Sequence, residues 1–294
     1  MAEILAFFQK VCAFLTALVT LFGITFLGWP VKPSGKALDM NKFELTWSDE
    51  FNGDAVDWDV WRHHYNGVTG QAQVRRGGYW CSDMAQLKDG SLVITTEYLT
   101  EGIGGGGPGF YTFGMDSANG FRQTYGYFEA RCKVPKGEGT WAAFWLQCGE
   151  MIHTNTVEQT GRIGAEVDVF ESPFFNRKAP TNNVISSNVH IAGYGESYKG
   201  FGVGEFDVGN DIYDEFNTYG VEWNEKEYIF YINGIESGRG SFGDPSQIPL
   251  FMVLSVELYG DGAVPAPGWA GDIRSNQHLP SEFVVDYVRA YRYK

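Results

Sequence analysis

Gly164-Ala165-Glu166-Val167-Asp168-Val169-Phe170-Glu171-Ser172-Pro173 is the stretch on which the reading of this 294-residue chain turns. In an extended strand Glu166 and Asp168 share one face and Val167 and Val169 the other, because side chains alternate with a period of two. Unbroken alternation would carry Glu171 to the valine side, where an unpaired carboxylate costs several kcal/mol. One extra residue near Val169 and Phe170, a β-bulge, removes the conflict and returns Glu171 to the face of Glu166 and Asp168.

With that bulge the two glutamates are effectively four positions apart, with about 13 Å between their Cα atoms. Side chains leaning together by roughly 4 Å each bring the carboxyls to about 5 Å, the separation of glycosidases that retain anomeric configuration. Asp168 between them makes ionising all three unfavourable, so one pKa rises and that group is suited to act as a general acid. On spacing alone three acids in six residues also describe a solvated edge. The neighbourhood weighs against it: Trp141-Ala142-Ala143-Phe144-Trp145 lies just upstream on a predicted neighbouring strand, and Trp80, Trp223 and Trp269 add flat apolar surfaces on which sugar rings stack.

Beyond residue 43 the chain reads as strands. Short runs rich in Val, Ile, Phe, Tyr and Thr recur at 92–98, 125–134, 141–147, 166–171, 184–191, 218–223, 228–232, 250–258 and 282–292. Turn signals punctuate them, Asn233-Gly234 most clearly, since that pair suits a type I′ hairpin. The pattern predicts an all-β fold, two antiparallel sheets packed as a sandwich. The glycine-rich stretch 102–109 reads as a flexible loop; no lysine follows and no helix begins there, so it is not a phosphate cradle.

Charge narrows the partners. The chain carries 22 basic and 36 acidic residues, a formal charge of −14. Such a chain is repelled by phosphate backbones and anionic lipid, which excludes nucleic acid as a partner. A run of nineteen uncharged residues, Val11 to Trp29, spans about 28 Å as a helix, enough to cross a hydrocarbon core. A retained anchor and a cleaved signal both fit it. Either points to an extracytoplasmic protein, secreted or membrane-anchored, that touches a membrane through this segment alone. Pro30 to Asp39 reads as a short linker, giving residues 1–40 as leader and 41–294 as one folded domain, expected to be monomeric. Outside the apolar run the cysteines are Cys81, Cys132 and Cys148, so at most one disulfide forms.

At the acidic stretch a resemblance becomes plain. Glu166-Val167-Asp168-Val169-Phe170-Glu171 resembles the E-x-D-x-x-E signature of glycoside hydrolase family 16 in its bulged, laminarinase-like form. Residues 45–53, 125–135, 139–146, 216–223 and 285–291 resemble, in order, its opening strand, its hairpin into the cleft and two later strands. The resemblance implies a β-jelly-roll sandwich with a concave, aromatic-lined cleft and endo-acting, retaining hydrolysis of internal β-linkages in a polysaccharide. It makes Glu166 the nucleophile, Glu171 the acid/base and Asp168 their assistant. Trp141 and Trp145 then line the cleft, with Trp80, Arg76 and Glu257 as further sugar contacts, and His190 approaches the acid/base from the next strand. No cofactor is needed for the chemistry. A structural calcium is expected on the convex side, at Glu50, the carbonyl of Gly90, and Asp286. The sequence departs from many laminarinase-like members at 162–165 and at Ala142, where proline is common. β-1,3- or mixed-linkage β-1,3-1,4-glucan is the leading substrate. The alternatives are a galactan (agar, carrageenan or mucin-type chains), for which a cationic cleft around Arg75 and Arg76 would serve sulfated sugars, transglycosylation, and a non-catalytic glucan-binding module.

Overall fold

The computed structural model describes residues 30–153, 160–173, 183–260 and 270–294. Trp269 and the apolar run 11–29 lie outside them, and no helix among the described residues is long and apolar enough to cross a membrane.

Two β-sheets pack face to face. The seven-stranded sheet runs β13 (Lys199–Asp207), β12 (Val184–Ile191), β11 (Ala165–Pro173), β10 (Thr140–Gln147), β17 (Phe251–Leu258), β8 (Gly114–Asp116) and β2 (Arg62–His63), strands being numbered in chain order. The larger sheet runs β16 (Ile235–Gly240), β15 (Tyr228–Ile232), β14 (Asn217–Trp223), β9 (Gly126–Lys133), β18 (Ser281–Tyr293), β6 (Ser91–Leu99), β7 (Gly109–Thr112), β4 (Gly78–Trp80) and β3 (Gln73–Arg75). Beside that path β1 (Phe43–Asp49) pairs with β18, and β5 (Ala85–Lys88) pairs with β6. The sandwich is a β-jelly-roll. One pairing departs from the antiparallel expectation, because β4 and β7 run parallel.

The core lies between the sheets and follows the alternation of the sequence. On β10, Ala142, Phe144 and Leu146 are buried against the opposite sheet, while Trp141, Ala143 and Trp145 face the cleft. Phe170 on β11 packs against Tyr219 of β14, ring centroids 4.3 Å apart. The hairpin turns form where the sequence marks them: Asn233 and Gly234 both take positive φ (49° and 73°), as a type I′ turn requires. Trp223 is fully buried and donates its indole N–H to Ser246 O, so it is core rather than a sugar surface. Cys81, Cys132 and Cys148 are all buried free thiols, within the expected limit of one disulfide.

The stretch read as a linker is docked along the sandwich. Val31 N–H bonds to Glu205 O at 3.1 Å and Asp207 N–H to Val31 O at 3.0 Å, on β13. The chain then crosses to β16, where Gly35 N–H donates to Glu236 O and Leu38 N–H to Gly234 O. Gly35 approaches so closely that a Cβ there would sit 2.7 Å from that of Glu236. The sequence hides this because the residues are polar and proline-bounded, while their partners are backbone groups far along the chain.

Candidate active site

The bulge is present on β11. Against β10, Phe170 pairs with Phe144 and Asp168 with Trp145, so Val169 is the extra residue. Its carbonyl, displaced from the ladder, accepts the hydroxyl of Ser187 at 2.8 Å. Glu166, Asp168 and Glu171 consequently all line one cleft, with Trp141, Ala143 and Trp145 of β10 beside them and Ser255 and Glu257 of β17 beyond.

Burial and mutual repulsion govern the charges of the row. Desolvation, then the charge of Asp168, pushes Glu166 up to about 7, opposed by His190, Tyr194 and Gln147. The same two causes push Glu171, only 8% exposed, well above the carboxylate range. Burial disfavours the charge of His190, but its hydrogen bond to Asp168 and the carboxylate charges outweigh this and hold the imidazole at about 9. The cationic ring forms an ion pair with Asp168, its Nε2 2.9 Å from Oδ2, and its Nδ1 lies 2.7 Å from the Tyr198 hydroxyl. At neutral pH the row therefore holds a proton on Glu171 and a cation at His190, with Glu166 near the midpoint of its own titration.

His190 approaches a different acid from the one expected. It lies across from Glu166 in the ladder and bonds to Asp168, whereas Glu171 is met by the amide of Asn188. The register causes this: Glu166 pairs with His190 and Asp168 with Asn188, whereas Glu171 pairs with Ser186, four residues from His190. Trp80 is also displaced from its expected role. It is 1% exposed, its N–H donates to Val256 O at 2.8 Å, and it serves as a floor rather than a sugar platform. On that floor Arg75 stacks, its Cζ 4.9 Å from Trp80 and 4.6 Å from Tyr65. Arg76 lies over Trp141 at 5.1 Å. Both arginines converge on Glu257, Arg75 Nε at 2.8 Å and Arg76 Nε at 3.4 Å. Glu257 thus lines the cleft as the centre of an arginine pair.

Four further residues shape the site. Gln147 Nε2 and the Tyr194 hydroxyl both donate to Glu166 Oε2, Gln147 at 3.0 Å. Asn188 holds Glu171, and Ser255 Oγ takes the Trp145 indole N–H at 3.0 Å. Gln147 and Asn188 each stand two residues from a predicted site residue, Trp145 and His190, so period-two alternation could have found them. Tyr194 carries no such signal.

The residues expected to hold calcium do not fit a cation. Both oxygens of Glu50 are taken by Arg289, at 2.9 and 2.7 Å. Asp286 is paired with Arg131. Only the carbonyl of Gly90 would then serve, and a hard cation needs several oxygens. Among the described residues the tight cluster of acids and histidine is Glu166, Asp168 and His190, whose groups bond to one another and to Tyr194 and Gln147.

A two-sheet jelly-roll carrying a row of carboxylates on a bulged central strand defines a carbohydrate-active class of chains. The family model described as "Beta-porphyranase A-D, GH16 domain" matches residues 43–293, and the chain belongs to that family, within glycoside hydrolase family 16. An endo-1,3-1,4-β-glycanase of Rhizobium meliloti is 27% identical over 277 residues, covering 87% of this chain and 53% of the relative. β-Porphyranase B of Zobellia galactanivorans is 29% identical over 238 residues, 75% of either chain. The chain spans about half the length, 53%, of the two Rhizobium meliloti relatives that it matches. In fold it is similar to the catalytic domain of an endo-1,3-β-glucanase (laminarinase) from Thermotoga petrophila, with a TM-score of 0.65 at 21% identity over 86% of this chain and 98% of that one.

Proposed function

We propose that this chain is a retaining endo-β-glycosidase that cuts internal β-1,3- or mixed β-1,3-1,4-linkages of a glucan. The observation that carries the reading is the single-residue bulge at Val169, which turns Glu166 and Glu171 into one cleft with Asp168 between them. In the first step Glu166 attacks the anomeric carbon while Glu171 gives its proton to the glycosidic oxygen. The C–O bond breaks and a glycosyl ester forms. Glu171, now a base, takes a proton from water, and the resulting oxygen nucleophile displaces Glu166 with overall retention. The His190 cation beside Asp168 keeps the row from accumulating negative charge. Trp141, partly exposed, offers a flat surface for sugar rings, while Trp145, 6% exposed, lines the cleft beside it. Three intact carboxylates favour hydrolysis over the glucan-binding module, which has no need of them.

Galactan cleavage is a second reading with a specific support: Arg75 and Arg76 both line the cleft, and the matching family model is that of β-porphyranases. We infer export from the apolar run 11–29. The full-length chain, incubated with laminarin, lichenan, agarose, porphyran and carrageenan, tests the reading through product size and the anomer first released. Oligosaccharide products of retained configuration from one of the two glucans are expected. Products from galactans alone transfer the assignment to the second reading, and no cleavage of any of them defeats both.

A further inference from the structure

The turn between β12 and β13 folds back over the carboxylate row. Ala192 and Gly193 both take positive φ, 67° and 71°. This pair of left-handed residues reverses the chain one step past the Glu166–His190 position and aims two phenols at the site. Tyr198 reaches His190, as described above. Tyr194, a residue 45% exposed, nonetheless sends its hydroxyl to Glu166 Oε2. Gln147 Nε2 donates to the same oxygen and also to the Tyr194 hydroxyl, closing a triangle of neutral donors on one side of the carboxylate. The other oxygen, Oε1, has His190 Nε2 at 3.8 Å, beyond hydrogen-bonding distance.

Resting on the reading of Glu166 as nucleophile, we propose that Tyr194 is a positioning residue that holds Oε2 and leaves Oε1 to attack the sugar. A charge-assisted hydrogen bond of this kind favours the ionised carboxylate and fixes its plane. The groups that face Glu166 are Asp168 and Glu171 from its own strand, His190 from β12, Tyr194 and Tyr198 from the turn, and Tyr65 from the opposite side of the cleft. Among the hydroxyls of these, that of Tyr194 bonds to Glu166. Exposure of this residue leaves the turn free to carry the hydroxyl away without unpacking the core.

The test is Tyr194→Phe in the full-length chain, assayed on whichever of laminarin, lichenan, agarose or porphyran the wild type cuts. The expected result is a kcat lower by about tenfold or more. KM should stay within about twofold, since the ring remains. The acid limb of kcat/KM should move to higher pH, because losing the donor raises the pKa of Glu166, and the melting temperature should stay unchanged. A wild-type acid limb, whatever happens to kcat, overturns the proposal, since a merely structural role would leave that limb in place. Glu166→Ala with added azide separates the two claims. Restored cleavage with inverted product upholds Glu166 as nucleophile independently of Tyr194, whereas rescue at Glu171→Ala to an inverted product, with none at Glu166→Ala, removes the ground on which the proposal stands.

Discussion

His190 Nε2 sits 2.9 Å from Asp168 Oδ2 while its Nδ1 meets the Tyr198 hydroxyl, so one imidazole is clamped between the middle carboxylate and the turn beyond β12. That clamp makes the ring cationic at neutral pH and supplies the charge that offsets a crowded acidic row.

Stability should therefore depend on pH in a defined window. The folded pKa of His190, about 9, lies above the ordinary value. Its contribution is fully present below about pH 6.5, is lost as pH rises through about 9, and is on the order of 3 kcal/mol. Urea unfolding of His190→Gln from pH 6 to 9.5 should show a shallower decline than wild type. An identical slope would mean that the ring is not charged in the folded state.

Glu171→Gln separates activity from stability. Removing the acid should lower kcat on polysaccharide by about 10² to 10⁴, and by less on aryl glycosides whose leaving groups need no proton. The same substitution should stabilise the fold as pH rises. Glu171 has a raised folded pKa, so it holds its proton in the fold after the unfolded chain has ionised, and that difference costs stability above about pH 4.5. Melting temperatures of the two proteins should coincide near pH 4 and diverge, the variant higher, by pH 8.

Two tryptophans should behave oppositely. Trp80→Ala empties a fully packed site beneath Arg75 and should cost about 3–5 kcal/mol in chemical denaturation. Trp141→Ala strips a partly exposed cleft wall and should chiefly raise KM for long oligosaccharides. A stable Trp80→Ala with an elevated KM would restore the platform role that its burial argues against.

Arg75→Ala leaves the buried Glu257 with Arg76 as its remaining cation. Because Arg75 keeps a quarter of its surface in water, the expected loss is about 2 kcal/mol, below that of a fully buried pair. Arg75→Ala/Glu257→Gln should recover part of it. A double-mutant cycle with no coupling energy would show that the two side chains do not act together.

How much of this was legible follows from which forces are local. The runs 184–191 and 228–232 coincide with β12 and β15 because β-branched and aromatic residues there end at turn residues. β13 escaped because Gly200, Gly202 and Gly204 make it read as a loop. Gly200 is there for close approach, since a Cβ would lie 2.7 Å from His190 Nδ1. The bulge could be inferred because a carboxylate and a core position were in direct conflict within six residues. Trp80 misled because its orientation is set by the β3–β4 hairpin, which no periodicity marks. Tyr194 was invisible, since its reach depends on the φ angles of a turn. The expected calcium ligands were acids whose arginine partners are adjacent in the sheet but far along the chain.

The strap of residues 30–42 has one more consequence. β13 and β16 end their sheets, and each offers a row of amide and carbonyl groups to any passing extended segment. Val31 and the 35–38 stretch occupy part of both rows from within the same molecule. A version trimmed to begin at Phe43 would retain every carboxylate of the cleft yet leave both borders adhesive, and it should precipitate or self-associate more readily than one that begins at Pro30.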